Sequence, residues 1–256
     1  MIFVTTSHDP AEEQVKKAKK LANELQIPYL PRKDYPNICA ATQGEYCYVV
    51  EKNRLVVKSE SGEFFFHPSM AKVRMKNIQK GLKDHLIECL QLTGDEIILD
   101  TTLGLGTEAI LMASFLDSGT VIGLEASTPI FVVVRDGLAN HRAKENWINT
   151  AMRKIQVIHA DFKQFLRSCE ENSYDIVYCD PMFENPVFES SSMNPLRPFA
   201  VYDTINADDV DQMFKVAKRR IVLKAHAKDS LFRRIPVDKI FGSRRSQVFY
   251  GVIEKK

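Results

Sequence analysis

The stretch Ile97-Ile98-Leu99-Asp100-Thr101-Thr102-Leu103-Gly104-Leu105-Gly106-Thr107-Glu108-Ala109 constrains this chain more than any other. An apolar run of strand length passes into a turn with two glycines and then into a helix, expected from Ala109 to Leu116. Gly104 and Gly106 let a ligand approach the backbone closely, and the start of the helix offers free N–H groups. Glu125 closes the next apolar run, Thr120 to Leu124. An acid about 20 residues past such glycines suits a ribose diol in a doubly wound sheet. Taken alone, Gly104-x-Gly106-x-x-Ala109 also fits a dinucleotide site, or a turn that holds no ligand.

A second stretch narrows these choices. Asp180-Pro181-Met182-Phe183 follows the apolar run Tyr174 to Cys179, which reads as a buried strand. The Asp180 carboxylate can accept one N–H of a planar amino group. The carbonyl joined to Pro181 can accept the other, because proline donates nothing there. Phe183 can stack on the attached ring, worth roughly 1–3 kcal/mol per base. The plainer alternative is a strand that ends in an Asp-Pro turn with a core phenylalanine. Asp100 before the glycines and this tetrapeptide on a later strand together favour S-adenosylmethionine over NAD. On the residues alone, Asp161 suits the adenine amino group, with the backbone of Phe162 serving the ring; Asp161 is equally a residue type that opens helices. His159, in an apolar strand, reads as a core histidine with no catalytic role.

The remaining apolar runs alternate with helical periodicity. Strands are expected at Ile97–Asp100, Thr120–Glu125, Ile155–His159, Asp175–Asp180, Arg220–Lys224, Asp238–Phe241 and Gln247–Ile253. Seven strands ending in a close pair predict a Rossmann-like, mostly parallel sheet with one antiparallel strand. Residues 1–66 read as a separate small α/β domain, with a strand at Ile2–Thr6, a helix after Asp9-Pro10, a hairpin around Lys52-Asn53-Arg54 and a further strand at Phe64–Phe66. Residues 67–256 then carry the sheet, entered by one helix from about Met70 to Leu90. That helix bears Lys72, Arg74, Lys76, Lys80 and Lys83, either a solvated face or one that follows phosphate. The segment Glu184 to Asp203 is read as a target-recognition lid, with a disordered stretch of no function as the alternative.

The formal net charge of +2 is too small to mark the whole chain as a nucleic-acid binder. Five cysteines without C-x-x-C spacing point to reduced thiols rather than disulfides or zinc. Cys179 reads as a buried small apolar residue rather than a nucleophile. The histidines lack the spacing of a metal site. No apolar run approaches the roughly 18–20 residues of a membrane span, and no signal peptide is evident. The expected location is the cytoplasm.

Four segments resemble the small-subunit ribosomal RNA guanine-N2 methyltransferases of the RsmJ type. They are Asp100 to Gly106; Leu124-Glu125 followed by Asp136-Gly137-Leu138-Ala139; Ile158-His159-Ala160; and Val177 to Phe183. The likeness covers about residues 67–256. It implies a class I methyltransferase fold, S-adenosylmethionine as donor, and the exocyclic amine of an RNA guanine as acceptor. Carried over by position, Thr107, Glu108, Glu125, Ala126, Asp161, Phe162 and Asp180 contact the donor, beside Asp100, Thr102, Gly104 and Gly106 of the first motif. Asp180, Pro181 and Phe183 serve the acceptor. The chain departs from that family where Thr107-Glu108 replaces an Arg-Asp pair, where Asp161-Phe162 replaces a Ser pair, and where Glu184 to Asp203 lacks a lysine-rich run. The same tetrapeptide would also serve an adenine amine or a protein glutamine amide. A binding protein without catalysis is the remaining alternative.

Overall fold

The computed structural model describes residues 1–35, 37–181, 196–244 and 246–256. The chain divides into two compact units. The first comprises Met1–His67, Val132–Arg142 and 196–200; the second comprises Pro68–Phe131, 143–181 and Val201–Lys256.

In the first unit the elements are β1 (Phe3–Thr6), α1 (Glu12–Leu25), α2 (Ile38–Thr42), β2 (Tyr46–Val50), β3 (Leu55–Ser59) and β4 (Gly62–Phe65). The sheet order is β1-β2-β3-β4, with β1 parallel to β2 and the others antiparallel. Phe3, Cys47, Val49 and Val56 alternate inward and form a core with Ile38. The helix α1 buries Ala18, Leu21 and Ala22, the spacing of one helical face.

The second unit opens with α3 (Ser69–Gln79) and α4 (His85–Leu90), where the sequence suggests one helix. Two local features divide them. Gly81 takes φ +82°, outside the helical region. Asp84 then caps α4 by accepting from the backbone N–H of Leu86 at 3.2 Å. There follow β5 (Ile97–Asp100), α5 (Thr107–Ala113), β6 (Thr120–Glu125), α6 (Thr128–Asn140, whose later turns belong to the first unit), α7 (Asn146–Arg153), β7 (Ile155–His159), α8 (Phe162–Ser168), β8 (Tyr174–Cys179), α9 (Ala207–Val216), β9 (Ala217–His226), α10 (Leu231–Arg234), β10 (Lys239–Ser243) and β11 (Val248–Glu254).

These seven strands form one sheet in the order β10-β11-β9-β8-β5-β6-β7. Only β11 runs antiparallel to its neighbours. The central strands lie between helical layers and are apolar on both faces, which is why they read as continuous apolar runs. Leu99, Leu124, Val177, Ile221 and Leu223 share one core with Leu166 of α8 and Val210 and Met213 of α9. From β5 the chain moves outward through β6 and β7, then returns to β8 on the other side of β5. The order reverses at β5 and β8, and a crevice opens at the carboxyl ends of strands at such a point.

The strand β7 is the edge of the sheet, and this corrects the expectation for His159. His159 is exposed, stacks on Phe131 with ring centroids 4.8 Å apart, and bonds through Nε2 to the Ala126 carbonyl at 3.1 Å. Among the described residues no helix is long and apolar enough to cross a membrane.

Candidate active site

The turn after β5 is built by its backbone. Gly104 and Gly106 take φ +52° and +74°, left-handed values that side chains rarely adopt. Gly106 is the N-cap of α5 and provides no capping side chain, so the helix begins at Thr107 with its first N–H groups unclaimed by a cap. The space over Gly104 is open; an added Cβ would meet only the Thr102 carbonyl, at 3.9 Å.

The acid at the end of β6 is locked to this turn. Glu125 Oε2 accepts from Gly104 N at 3.0 Å, and Oε1 accepts from Ser127 N at 2.8 Å. Burial pushes the Glu125 carboxyl above its ordinary range, although these N–H groups draw it back. Beyond β7, Asp161 caps α8 by accepting from Gln164 N at 3.0 Å through Oδ1. Phe162 has its side chain in the core; only its backbone remains for a ligand.

Asp100 serves the loop from beneath. It is 1% exposed and accepts from Thr102 N at 3.1 Å. Burial, with Glu108 and Asp180 adding to it, pushes its carboxyl well above the usual range. Asp100 is therefore a buried anchor for the turn rather than an oxygen open to a ligand. Thr102 passes the connection on: its Oγ1 accepts from the backbone N–H of Asp180 at 2.7 Å. Thr101 is bonded to the Tyr178 carbonyl at the adjacent register.

The Asp180 side chain meets a partner that the sequence did not single out. Lys224 Nζ lies 2.6 Å from Asp180 Oδ2 and 3.1 Å from Glu108 Oε1. Arg74 Nη1 reaches the same Glu108 oxygen at 3.1 Å, while its Nε and Nη2 grip Asp84 at 2.9 and 2.8 Å. The result is a run of alternating charge, Asp84–Arg74–Glu108–Lys224–Asp180, across the cap of α4, α3, α5, β9 and the residue that follows β8. Burial raises the Asp180 carboxyl and Lys224 partly offsets this, leaving it above the ordinary range. Burial opposes the Lys224 charge, but Asp180 and Glu108 outweigh it and raise the ammonium's pKa. Burial likewise opposes the Glu108 charge, but Lys224 and Arg74 hold that carboxyl below its usual range.

Lys224 also lines an open cleft of about 270 Å³ with Pro181, Thr204, Ile205, Asp229 and Arg234. This cleft adjoins the Asp-Pro turn. Met182, Phe183 and residues 184–195 lie outside the described residues, so the expected stacking ring and most of the expected lid do too. Cys179 is fully buried and its thiol is pushed up to about 12 by burial, which leaves it structural. The basic face of α3 is smaller than the sequence suggests. Arg74 turns inward, Lys72 pairs with Glu145 and Lys83 with Glu88, while Lys76 and Lys80 are exposed. Among the described residues no group of three or more His, Cys, Asp and Glu is placed to hold a metal ion.

A glycine turn, an acid at the end of the neighbouring strand and an Asp-Pro corner thus meet where the order of the seven-stranded sheet reverses. The model of a family described as "Putative SAM-dependent methyltransferase" matches residues 38–244, and the chain belongs to that family. It is an S-adenosylmethionine-dependent methyltransferase with the class I fold. Bacillus subtilis YpiP, described as an uncharacterized protein, is 34% identical over 98% of this chain and 99% of its own length. The ribosomal RNA small subunit methyltransferase J of Legionella pneumophila (strain Corby) is 26% identical over 79% of this chain and 82% of its own. That of Coxiella burnetii (strain Dugway 5J108-111) is 30% identical, over 50% of this chain and 49% of its own. A solved SAM-dependent methyltransferase from Neisseria gonorrhoeae shares the fold, with a TM-score of 0.67 over 99% of this chain and 96% of that one, at 15% identity.

Proposed function

We propose that this methyltransferase acts in the cytoplasm on ribosomal RNA and transfers the methyl group to the exocyclic N2 of a guanine. One juxtaposition carries the reading: Asp180-Pro181 stands beside the glycine turn, tied to it by the bond between Asp180 N and Thr102 Oγ1. A donor in the turn and an amine at the Asp-Pro corner would thus be neighbours. The relatives named as ribosomal RNA methyltransferases support RNA as the acceptor.

The residues present fit the donor. The left-handed glycines leave open backbone at the turn, and Glu125 is oriented by two N–H groups with its carboxylate partly exposed. In this reading Gly104, Gly106, Thr107 and Ala126 line the donor with their backbone, Glu125 takes the ribose hydroxyls, and Asp161 with the Phe162 N–H takes the adenine. Asp100 and Thr102 shape the turn. Glu108 acts through Lys224 rather than by touching the donor. When bound, S-adenosylmethionine supplies an electrophilic methyl carbon on a sulfonium and departs as the thioether.

An exocyclic amine on a purine is a poor nucleophile, because its lone pair is delocalised into the ring. Asp180 accepts one N–H and the carbonyl joined to Pro181 accepts the other, which favours a more tetrahedral nitrogen with its lone pair free. As that pair forms the bond to carbon, the nitrogen sheds a proton, which Asp180 Oδ1 takes. Orientation supplies much of the gain in rate. A base in a duplex has to be flipped out or already unpaired to reach the corner. Phe183, outside the described residues, is proposed to stack on it.

Glu125→Ala is expected to weaken donor binding by about 1.5–3 kcal/mol, the scale of hydrogen bonds to a charged group. Titration calorimetry with S-adenosylmethionine checks this, and tight binding of NAD instead would overturn the donor site. For the acceptor, mass spectrometry of nucleosides from a deletion strain should show N2-methylguanosine lost from ribosomal RNA and restored by the purified protein. An unchanged level, with a methyl mark lost from DNA or protein, would move the activity to another amine.

A further inference from the structure

Lys224 lies two residues before the end of β9, one residue beyond Leu223, which pairs with Cys179 in the parallel β8–β9 ladder. Asp180 is one residue beyond Cys179. The two charged side chains therefore leave neighbouring strands at the same level, and the 2.6 Å contact follows from register. Side chains alternate along a strand, so two residues at one level of a ladder share a face. We propose that Lys224 is the positioning residue of the acceptor end: it fixes Asp180 through Oδ2 and leaves Oδ1 for the amine, next to the cleft that both Lys224 and Pro181 line. The inference rests on the reading of Asp180 as the acceptor of the amine's N–H.

The supports of Lys224 argue for a fixed post rather than a mobile surface lysine. Its side chain is 14% exposed. Glu108 holds it from the second side, and Glu108 is held in turn by Arg74, which Asp84 grips with two parallel bonds. Such two-point pairs fix geometry as well as energy. Among the described residues the Asp180 side chain makes no hydrogen bond other than that with Lys224. The groups that face Asp180 are Lys224 on β9, Glu108 on α5, Arg74 on α3, Asp100 on β5, and the phenols of Tyr178 on β8 and Tyr250 on β11. Without Lys224, Asp180 faces two acids, and Arg74 is the nearest remaining cation of the run. It then keeps its proton to higher pH, and a protonated Asp180 offers an O–H where the amine requires an acceptor.

The test compares Lys224→Met, Lys224→Gln and Lys224→Arg with the wild type. Carboxyl carbon-13 NMR of the ligand-free protein, with the Asp180 signal assigned by its absence in Asp180→Asn, reads the titration directly. The Asp180 midpoint should rise by roughly 1–3 pH in Lys224→Met and Lys224→Gln, the scale of losing an opposite charge at contact distance. It should return towards the wild-type value in Lys224→Arg. The acid limb of the kcat profile for methyl transfer to RNA should move upward with it, with the dissociation constant for S-adenosylmethionine within about twofold of wild type. A midpoint and a kcat profile unmoved in a folded Lys224→Gln protein would overturn the role. Failure of the wild type to methylate any RNA would sink the proposed function instead, while the NMR midpoint would still decide whether Lys224 controls Asp180.

Discussion

Glu96→Ala is expected to destabilise the second unit by about 2–4 kcal/mol, measured by denaturant unfolding at pH 7. Glu96 is 2% exposed and gathers the turn that launches β5. It accepts from Thr93 N at 2.7 Å, Thr93 Oγ1 at 2.8 Å and Gly94 N at 2.9 Å, and pairs with Arg219 at 2.8 Å. Alanine removes the acceptor and leaves the donors in place: the buried Gly94 N–H and the part-buried Thr93 N–H each cost about 1–3 kcal/mol without a partner, while the Thr93 hydroxyl keeps Asp95. Arg219 is 36% exposed, so water replaces most of what it loses. Burial alone would raise the Glu96 carboxyl, but the Thr93 and Gly94 N–H groups, with Arg219, lower it to about 2. A depressed folded value means that the stabilisation is present in full above the unfolded carboxyl value, about 4.3, and is lost as pH falls through about 2. The difference between wild type and Glu96→Ala should therefore narrow over that interval as the wild type loses the contribution. A difference that stays constant from pH 7 to pH 2 would contradict this account.

The sheet was legible because its strands are short apolar runs between helical periods, and the seven expected strands occupy the places where the chain forms them. Their order in space supplied what the sequence could not. Lys224 is the last residue of the expected strand Arg220–Lys224, and nothing along the chain marks it. It becomes significant only when β9 is set beside β8, a pairing between residues 44 positions apart. Arg74 groups with the lysines of its helix for the same reason: periodicity does not say that α3 stops at Gln79 and aims this side chain at Asp84 and Glu108. The break itself had a local signal in Gly81 and Asp84, outweighed by the helix-forming residues on either side. The misreading of His159 is of another kind. An apolar strand reads as buried, but β7 is an edge, and Ile158 at 36% exposure shows how open that edge is.

Asp180→Asn is expected to lower kcat for methyl transfer by about 10²–10³-fold, the scale on which one pre-placed electrostatic group acts on a rate, while the fold persists. The amide matches the carboxylate in shape and still offers Lys224 an oxygen, so the run from Arg74 to Lys224 keeps its contacts. Asparagine loses the negative charge that draws the amine's N–H and the oxygen that takes its proton. Asp180 contributes its backbone N–H to Thr102 in wild type and variant alike, so the turn that would hold the donor keeps its anchor. Donor affinity, measured by calorimetry on the same samples, should fall far less than kcat. That split separates an acceptor role from a donor role. Equal losses in donor affinity and rate would place Asp180 on the donor, and near-wild-type turnover in a folded protein would remove it from the mechanism.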